Sequence, residues 1–264
     1  MPENGDVNLG RVNALGIGIS PISLDIALQQ IGDWISNRKR RYVCVCTVHT
    51  VMESRRSESL RRVLNGSGMA TPDGMPLVWL ARLAGHSGVG RVYGPDIMLA
   101  EMEDSVRTGH RHFFYGGRPG VTDRLRKTFT SRFPGVAIVG TFTPPIAPVE
   151  ELCNSDTADL INQARPDIVW VGISTPKQEM WMAGMRTLLQ APVLIGVGAA
   201  FDFHAGTVRQ APRWMQRSGL EWVFRLIQEP RRLWKRYLLD NPAFVWQVFL
   251  QVARLKRFDL TDQA

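Results

Sequence analysis

The sequence predicts an α/β fold with a Rossmann-like, largely parallel sheet and helices on both faces. Short apolar runs alternate with stretches of helical period along most of the chain. The runs are apolar throughout rather than at every second position, as in strands that are buried on both faces. Because strands joined by helices run parallel, helices should cover both faces of the sheet.

The predicted elements follow one another in a regular order. The strands are ALGIGIS (14–20), YVCVCTV (42–48), HFFYGG (112–117), VAIVGTF (136–142), IVWVGIS (168–174) and VLIGVGAAF (193–201). The helices are SLDIALQQIGDWISNR (23–38), a stretch from Val51 to Gly66, one that follows Pro119, DTADLINQAR (156–165) and PKQEMWMAGMRTLL (176–189). Pro21 suits the first turn of the first helix, and Gly66 suits the end of the second. In such sheets ligands bind at the carboxyl ends of the strands.

Positive charge is concentrated near the C-terminus. The segment from Arg209 to Phe258 holds eleven Lys and Arg against three Asp and Glu, and the rest of the chain holds 21 of each, so this segment carries the whole formal net charge of +8. The sequence therefore predicts a core at 1–208 and a basic, aromatic-rich helical tail at 209–264. A neutral body with a basic tail favours an anionic partner.

The tail also has an amphipathic pattern. At about 100° per residue, one arc of the helix carries Arg231, Arg232, Lys235 and Arg236, and the opposite arc carries Leu233, Trp234, Tyr237 and Leu238. The pattern is typical of a helix in a membrane interface, and equally of a core helix with a solvated face. Four of the eight tryptophans lie beyond residue 213, which favours the interface.

The N-terminus MPENGDVNLG is polar and does not resemble a signal peptide. The late apolar stretch AFVWQVFLQV (243–252) is far short of the roughly 20 residues that a membrane span requires. Three cysteines give no disulfide framework, and Cys44 and Cys46 alternate within a predicted strand. They predict reduced core thiols in a cytosolic protein, without a metal site.

Four loops follow predicted strands and contain residues suited to ligands. They are CTVHT (46–50), YGGRPG (115–120), GISTPKQE (172–179) and GVGAAFDFHAG (196–206). Gly116 and Gly117 suit a phosphate cradle, because backbone N–H groups can approach an anion there. A plain turn is the alternative. Gly196 and Gly198 begin a dinucleotide-binding pattern, but Phe201 stands where the third glycine belongs, so NAD or FAD binding is not expected.

Three of the polar residues in loops have both a structural and a functional interpretation. Asp73 in the turn TPDG (71–74) could cap the helix that follows or form the turn, or it could have a raised pKa and act as a general base. His49 faces the predicted cleft, although a lone histidine is usually structural. Gln178 and the neighbouring Lys177 could reach a sugar hydroxyl or a phosphate, or could form a solvated first turn.

Taken together, these segments resemble those of one family. The shared pieces are Thr47-x-His49, TPDG (71–74), RVYGPD (91–96), FFYGG (113–117), TPKQE (175–179) and the long block GVGAAFDFHAGTVRQAPRWMQRSGLEWVFRLIQEPRRLWKRY (196–237). Their order and spacing are similar to those of the WecB/TagA/CpsF family of bacterial glycosyltransferases. The resemblance implies a metal-independent, inverting hexosyltransferase without a cofactor. It would move a sugar from a UDP-sugar to a polyprenyl-diphosphate-linked saccharide, for exopolysaccharide, teichoic acid or common antigen.

The resemblance also implies roles for individual residues. Asp73 would be the general base. The substrate-binding residues would be Thr47, His49, Arg91, Gly116, Gly117, Gln178 and Asp202, and the lipid diphosphate would be bound by Arg225, Arg232 and Lys235. The family commonly has Thr-x-Asn where this chain has Thr47-x-His49, and histidine offers a different donor and acceptor geometry. This difference favours a plain hexose such as glucose, or a uronic acid, over the N-acetylmannosamine common in the family. The expected donors are UDP-glucose, UDP-N-acetylmannosamine or its uronic acid.

The tail is expected to bind an anionic membrane and to close over the active site. The protein would be cytoplasmic and peripheral on the inner face of the membrane, with a homo-oligomer left open. Two other classes explain the basic tail: a nucleic-acid-binding protein and a non-catalytic membrane-surface scaffold. Neither requires the glycine loops or the carboxylate in the cleft, so the glycosyltransferase with no nucleic-acid partner is preferred.

Overall fold

The structure of the protein is a computed structural model that describes residues 10–260. The stretch on which the signal-peptide prediction rests therefore lies almost entirely outside the described residues. The strands are β1 Val12–Ala14, β2 Ile17–Ile19, β3 Arg41–Cys46, β4 Met69–Pro72, β5 Arg111–Gly116, β6 Ala137–Phe142, β7 Ile168–Gly172 and β8 Val193–Gly196. The helices are α1 Leu24–Ser36, α2 Val48–Arg56, α3 Glu58–Asn65, α4 Met75–Leu83, α5 Gly94–Thr108, α6 Val121–Arg132, α7 Val149–Leu152, α8 Ser155–Gln163, α9 Lys177–Met185, α10 Ala200–His204, α11 Arg213–Arg217, α12 Glu221–Gln228, α13 Pro230–Lys235 and α14 Asn241–Val252. A π-helical segment, Arg236–Asp240, joins α13 to α14.

The predicted α/β architecture is confirmed. Six strands form one parallel sheet in the order β4-β3-β8-β7-β5-β6. Alternate residues of each strand enter two separate apolar layers: on β3, Cys44 and Cys46 pack on one face and Val43 and Val45 on the other. Both thiols are buried and free, as predicted. Helices cover both layers, which explains why the central strands are apolar throughout.

The first predicted strand is wrong. Residues 14–20 do not enter the sheet, because the chain turns within them and forms the antiparallel hairpin of β1 and β2. Gly16 has a φ of +94° and Leu15 a φ of +55°. A glycine adopts such a turn without steric cost, and the Asn13 side chain accepts the Gly16 N–H at 2.8 Å. The alternating pattern of the stretch belongs to two short strands rather than one.

Two further elements differ from the sequence prediction. The helix predicted from Val51 to Gly66 is two helices, since Ser57 is extended (φ −135°, ψ 110°) and caps α3 by accepting from the Leu60 N–H. The short strand β4 was not predicted. It pairs with β3 at one edge of the sheet and ends at Pro72, which lacks the N–H that a central strand needs.

The tail from Arg209 packs back onto the core. The Gln251 side chain donates to the Asn13 carbonyl at 2.7 Å and accepts the Leu15 N–H at 3.0 Å, which ties α14 to the hairpin. Phe244 of α14 is buried in the core layer that contains β1 and β2. The division at residue 208 stays a prediction. Among residues 10–260, no helix is long and apolar enough to cross a membrane.

The two arcs predicted for the tail helix are only partly confirmed. Leu233 and Tyr237 are buried, but Trp234 and Leu238 are 45% and 52% exposed. Arg236, predicted on the outer basic arc, faces inward instead and lines a cavity. The inward face of this helical segment packs partly on the apolar core and partly on the polar cavity. The positively charged Arg236 therefore faces inward, whereas the apolar Trp234 and Leu238 remain exposed.

Exposed apolar surface is concentrated on this tail. Twelve of the nineteen exposed large apolar side chains in the described residues lie beyond residue 213. Three of them are spaced by four and then three residues along α14, namely Val245, Phe249 and Val252, and each is 55–64% exposed. Trp246 stacks on Phe249 with ring centroids 5.5 Å apart. Apolar patches of this kind mark surfaces for a partner or a membrane.

Candidate active site

A cavity of about 300 Å³ lies between the sheet and the tail. Its floor comes from the loops that follow β3, β4, β7 and β8, and its other wall comes from α12, α13 and the π segment. The lining residues that carry polar or charged side chains are Thr47, His49, Thr50, Asp73, Tyr93, Ser174, Thr175, Gln178, Asp202, Arg225, Glu229, Arg232 and Arg236. The cavity occupies the carboxyl ends of neighbouring strands, where the sequence predicted a ligand.

Asp73 lies directly after β4 and is held by the backbone around it. Its N–H donates to the Cys46 carbonyl of β3 at 2.9 Å. Gly74, not Asp73, is the N-cap residue of α4, and no side chain caps that helix. The capping interpretation is therefore wrong, and the carboxylate is left for another role.

The Asp73 carboxylate is part of a buried ionic network. The Arg91 Nη2 donates to Asp73 Oδ1 at 3.0 Å and to Glu221 Oε2 at 2.7 Å, and the Arg91 Nε donates to the Asp73 carbonyl. The Tyr93 hydroxyl donates to Glu221 Oε1 at 2.9 Å. Glu221 belongs to α12, so the network joins the core to the tail.

Burial raises the pKa of Asp73 to about 6, although the nearby Arg91 guanidinium acts in the opposite direction. The negative charge of Glu221 raises this pKa further. At neutral pH most molecules therefore carry an ionised Asp73 that binds a proton more strongly than an ordinary aspartate does. A base with its pKa just below the working pH is well matched to general-base catalysis.

His49 lies in the first turn of α2 and faces the cavity, as predicted. Its Nδ1 is 3.4 Å from Asp240 Oδ2 of the π segment. Burial, with the positive charge of Arg236, lowers the pKa of His49. The imidazole is therefore neutral at pH 7 and offers one donor and one acceptor. Thr47 caps α2 through a capping box with Thr50, and it also accepts from Arg236 Nη2 at 3.4 Å.

An ionic cluster lies behind His49. The ligand-type atoms of His49, Glu53 and Asp240 all lie within 4.8 Å of one another. The Arg56 guanidinium binds both carboxylates, at 2.5 Å from Glu53 Oε1 and 2.6 Å from Asp240 Oδ1. A cation from the chain itself thus already binds this cluster and offsets one of its two negative charges. The expectation of a metal-independent protein stays a prediction.

Gln178 is buried at the start of α9, against the loop after β8. Its Nε2 donates to Glu179 Oε1 at 3.0 Å, and its Oε1 has no hydrogen-bond partner among the described residues. A methyl group at Gly196 would lie 3.1 Å from the Gln178 Nε2, so glycine leaves room for this close approach. Gln178 lines the cavity, and its unpaired oxygen can accept from a ligand hydroxyl. Such a buried orphan acceptor is costly unless a ligand satisfies it.

The tail brings three arginines to the cavity. Arg225 and Arg236 each have an Nε that is buried without a hydrogen-bond partner among the described residues. Arg232 is 60% exposed and pairs with Glu229. Sequence reasoning found Arg225 and Arg232 but missed Arg236. Arg225, Arg232 and Arg236 are spaced by seven and then four residues, a spacing that places side chains on one face of a helix. This spacing is the signal in the sequence that could have found Arg236.

Asp202 and Arg91 are near the cavity but are already bonded. Asp202 lines it, and its Oδ1 accepts from Arg118 Nη2 at 3.1 Å and from the Thr207 hydroxyl at 2.9 Å. Arg91 lies behind Asp73, not on the cavity surface itself. It acts on the cavity through the carboxylate that it binds.

Four predicted residues do not line this cavity: Arg91, Gly116, Gly117 and Lys235. The glycine pair follows β5, which lies on the far side of β7 from the other loops. A methyl group at Gly116 would come within 2.6 Å of the Gly172 carbonyl, and the Gly117 N–H donates to that same carbonyl at 2.9 Å. Close packing of two strand ends thus explains both glycines. Lys235 lies outside, with its Nζ 5.6 Å from the Trp234 ring.

This arrangement defines a class of protein. A parallel α/β sheet carries a buried carboxylate at its carboxyl edge, and two tail arginines, each with an Nε that is unpaired among the described residues, lie across a small cavity. Such a site can remove a proton from an attacking hydroxyl while stabilising the negative charge of a phosphate leaving group. The chemistry is that of a group-transfer enzyme.

Comparison with known proteins gives the family. Residues 12–258 match the model of the glycosyl transferase WecG/TagA/CpsF family. A relative from Bacillus subtilis (strain 168), N-acetylglucosaminyldiphosphoundecaprenol N-acetyl-beta-D-mannosaminyltransferase, is 32% identical over 196 residues, which are 74% of each chain. A protein of the same name from Bacillus spizizenii (strain ATCC 23059 / NRRL B-14472 / W23) is 28% identical over 215 residues, 81% of each chain.

The chain belongs to the WecG/TagA/CpsF family, and it is a glycosyltransferase of the hexosyltransferase class. The resemblance seen in the sequence motifs is thereby confirmed.

Proposed function

We propose that the protein transfers a hexose from a UDP-sugar to a saccharide linked through a diphosphate to a polyprenol. The name of the two relatives specifies an N-acetylglucosaminyl-diphosphoundecaprenol acceptor and the transfer of an N-acetyl-β-D-mannosaminyl group. The observation that carries the proposal is the placement of a base and of cations in one cavity: Asp73 on the sheet side, and Arg225 and Arg236 on the tail side. A lipid-linked acceptor fits a site whose wall is the tail with the exposed apolar surface.

Asp73 acts as the general base in this proposal. Its ionised carboxylate takes the proton of the acceptor hydroxyl as that oxygen attacks the anomeric carbon of the donor. The bond between the anomeric carbon and UDP breaks, and the electron pair leaves with the diphosphate. Attack from the side opposite to the leaving group inverts the anomeric configuration. General-base assistance of this kind is worth about 10²–10⁴-fold in rate.

Arg225 and Arg236 hold the diphosphate in the cavity. Each has a buried N–H donor that lacks a protein partner, and a phosphate oxygen would satisfy it. Their charges would oppose the negative charge that grows on leaving UDP, without a metal ion. Arg232 and Lys235, which are more exposed, would contact the diphosphate of the lipid-linked acceptor at the rim.

His49 and Gln178 are proposed to contact the sugars. The neutral imidazole and the unpaired amide oxygen of Gln178 both face the cavity and can bond to sugar hydroxyls. The family commonly has asparagine where this chain has His49, and histidine offers a different donor and acceptor geometry. The proposed donor is therefore not fixed as the family's N-acetylmannosamine type, and it is one of UDP-glucose, UDP-N-acetylmannosamine and its uronic acid.

The experiment that tests the proposal measures UDP release from these three donors with a lipid-diphosphate acceptor analogue. Asp73→Asn should lower kcat by at least about 10²-fold while the folded state is kept. The kcat/KM of the wild type should fall below pH about 6, where Asp73 becomes protonated. A variant rate within a few fold of wild type would assign the base role to another group.

A further inference from the structure

We propose that Glu221, carried by the tail, is a positioning residue that sets the basicity of Asp73 through Arg91. This inference rests on the proposed function, since it assigns the control of the proposed base to a residue outside the core. Nothing in the sequence motifs singles out Glu221 for that role. The geometry points to it because one guanidinium nitrogen is shared between the two carboxylates.

The sharing is visible in the distances. The Arg91 Nη2 is 2.7 Å from Glu221 Oε2 and 3.0 Å from Asp73 Oδ1, so the tail carboxylate makes the shorter contact. The three side chains are only 12–17% exposed. In such an environment, a guanidinium that neutralises one carboxylate is less able to stabilise the charge on the other.

Tyr93 fixes Glu221 in this position. Its hydroxyl donates to Glu221 Oε1 at 2.9 Å, while Arg91 uses Oε2, so both carboxylate oxygens are bound. The Arg91 guanidinium carbon also lies 3.9 Å from the centroid of the Tyr93 ring. Glu221 thus cannot turn away from Arg91 while α12 is packed on the core.

The other groups that face Asp73 do not share this role. They are Cys46 of β3, Arg91 and Tyr93 ahead of α5, Arg225 of α12 and Arg236 of the π segment. The two tail arginines favour the ionised carboxylate, and the buried thiol is neutral at working pH. In contrast to these groups, Glu221 carries a negative charge, and this charge raises the pKa of Asp73.

The consequence is a link between tail packing and base strength. When α12 is in place, Arg91 is divided between two carboxylates and Asp73 retains a strong affinity for a proton. Without the Glu221 carboxylate, Arg91 would bind Asp73 alone, and the base would be weaker. The catalytic carboxylate is therefore matched to its task only with the tail packed on the core.

The test compares Glu221→Gln with Glu221→Asp in the full-length chain. Glutamine keeps the shape but removes the charge, and aspartate keeps the charge but shortens the side chain. In Glu221→Gln, the acid limb of the plot of kcat against pH should move to lower pH by about half a unit or more. The plateau of kcat at higher pH should also fall, because the base is weaker. Glu221→Asp should keep the limb closer to its wild-type position. Glu103→Gln, an exposed change on α5, is the matched control with an unmoved limb.

A purely structural role gives a different result. Loss of a tail contact lowers activity at every pH or raises KM, but it leaves the acid limb where it was. That outcome, or a larger limb shift in Glu221→Asp than in Glu221→Gln, would overturn the proposal. Glu221→Met, which is neutral and of similar length, provides a second neutral variant if the glutamine variant does not fold.

A second readout does not depend on activity. The carboxyl titration of Asp73 is followed by infrared difference spectroscopy, assigned by comparison with Asp73→Asn, without any substrate. Its midpoint, about 6 in the wild type, should move downward in Glu221→Gln. A moved midpoint in a protein that transfers no sugar would retain the role of Glu221 and reject the proposed function. An unmoved midpoint in an active enzyme would reject the role of Glu221 alone.

Discussion

The two walls of the cavity are built in different ways. On the sheet side, the Asp73 N–H donates to the Cys46 carbonyl of β3, and Arg91 binds the Asp73 carboxylate at 3.0 Å. On the tail side, Arg225 and Arg236 come from α12 and from the π segment, and the Nε of each is buried without a hydrogen-bond partner among the described residues. The proposed base is therefore held by bonds within the chain, whereas each of these two tail cations retains a donor without a partner. This difference supports the proposal that the fold positions the base and that an anionic ligand completes the tail wall.

The tail arginines provide the strongest way to break this comparison. Arg225→Gln combined with Arg236→Gln should lower kcat/KM by roughly 10²-fold or more, because each charged hydrogen bond to a phosphate is worth about 1.5–3 kcal/mol. Steady-state kinetics of UDP release would measure the loss.

Arg231→Gln is the matched control for each of the two arginine changes made singly. It removes the same charge from an exposed position on α13 that does not line the cavity. An equal loss in the control would show that the net charge of the tail matters and not the two inward positions.

The exposed apolar face of α14 provides the next test. Trp246→Ser combined with Phe249→Ser should weaken flotation with anionic liposomes by roughly tenfold, because these half-exposed rings would be buried in the interface. Binding of the wild type should also decrease with salt, since each basic residue near the surface contributes about 1 kcal/mol.

A double change on the core side serves as control for the flotation test. Leu83→Ser with Ile146→Ser removes apolar side chains that are 76% and 104% exposed but lie far from the tail in sequence. If this variant loses flotation and the α14 variant does not, the membrane surface lies on the core.

A smaller effect is expected at His49. His49→Asn should change donor preference or KM by several fold and should leave kcat at saturating substrate nearly unchanged, because in the proposed site the neutral imidazole contacts sugar rather than moving a proton. A donor screen with the three UDP-sugars would measure it. If the variant instead lost activity and added imidazole restored it, His49 would be the general base and Asp73 would take the role of a sugar contact.

The smallest effect concerns stability, and its sign follows from the pKa of Asp73. The folded-state value of about 6 lies above the ordinary 3.8, so the favourable contribution of the protonated carboxyl is present below pH about 4 and is lost as the pH rises through 6. Asp73→Asn should therefore melt at a higher temperature than the wild type at pH 8, by an amount that reflects about 2–3 kcal/mol. Calorimetry at pH 4 should find the difference nearly gone.

The sheet could be predicted from the sequence, because strands buried on both faces leave a continuous apolar run. Five of the six predicted strands enter the sheet. The hairpin at 12–19 could not be separated from a single strand, since its turn depends on a positive φ at Leu15 as well as at Gly16. The edge strand β4 was too short and too close to Pro72 to show a period.

The site could be predicted in part. The loops after β3, β7 and β8 follow from the rule for parallel sheets. Asp73 was found from its place in the TPDG turn and from the family resemblance, because β4 was not predicted. The partners of Asp73 could not, since Arg91 and Glu221 meet only in the folded chain, 130 positions apart in sequence. The glycine pair at the end of β5 does not line this cavity, and the order of strands in the sheet, which separates it from the other loops, is not visible in the chain order. Its role in substrate binding stays a prediction.

The central claim is that the core supplies the base and the tail supplies the charge for the diphosphate. Calorimetric titration with UDP tests it most directly, on wild type, Asp73→Asn and Arg236→Gln at one pH and salt concentration. Arg236→Gln should bind UDP about tenfold or more weakly, because a buried charged hydrogen bond is lost. Asp73→Asn should bind UDP at least as tightly as the wild type, because a negative charge leaves the cavity. Unchanged affinity in Arg236→Gln, or an equal loss in both variants, would contradict this division between the two walls.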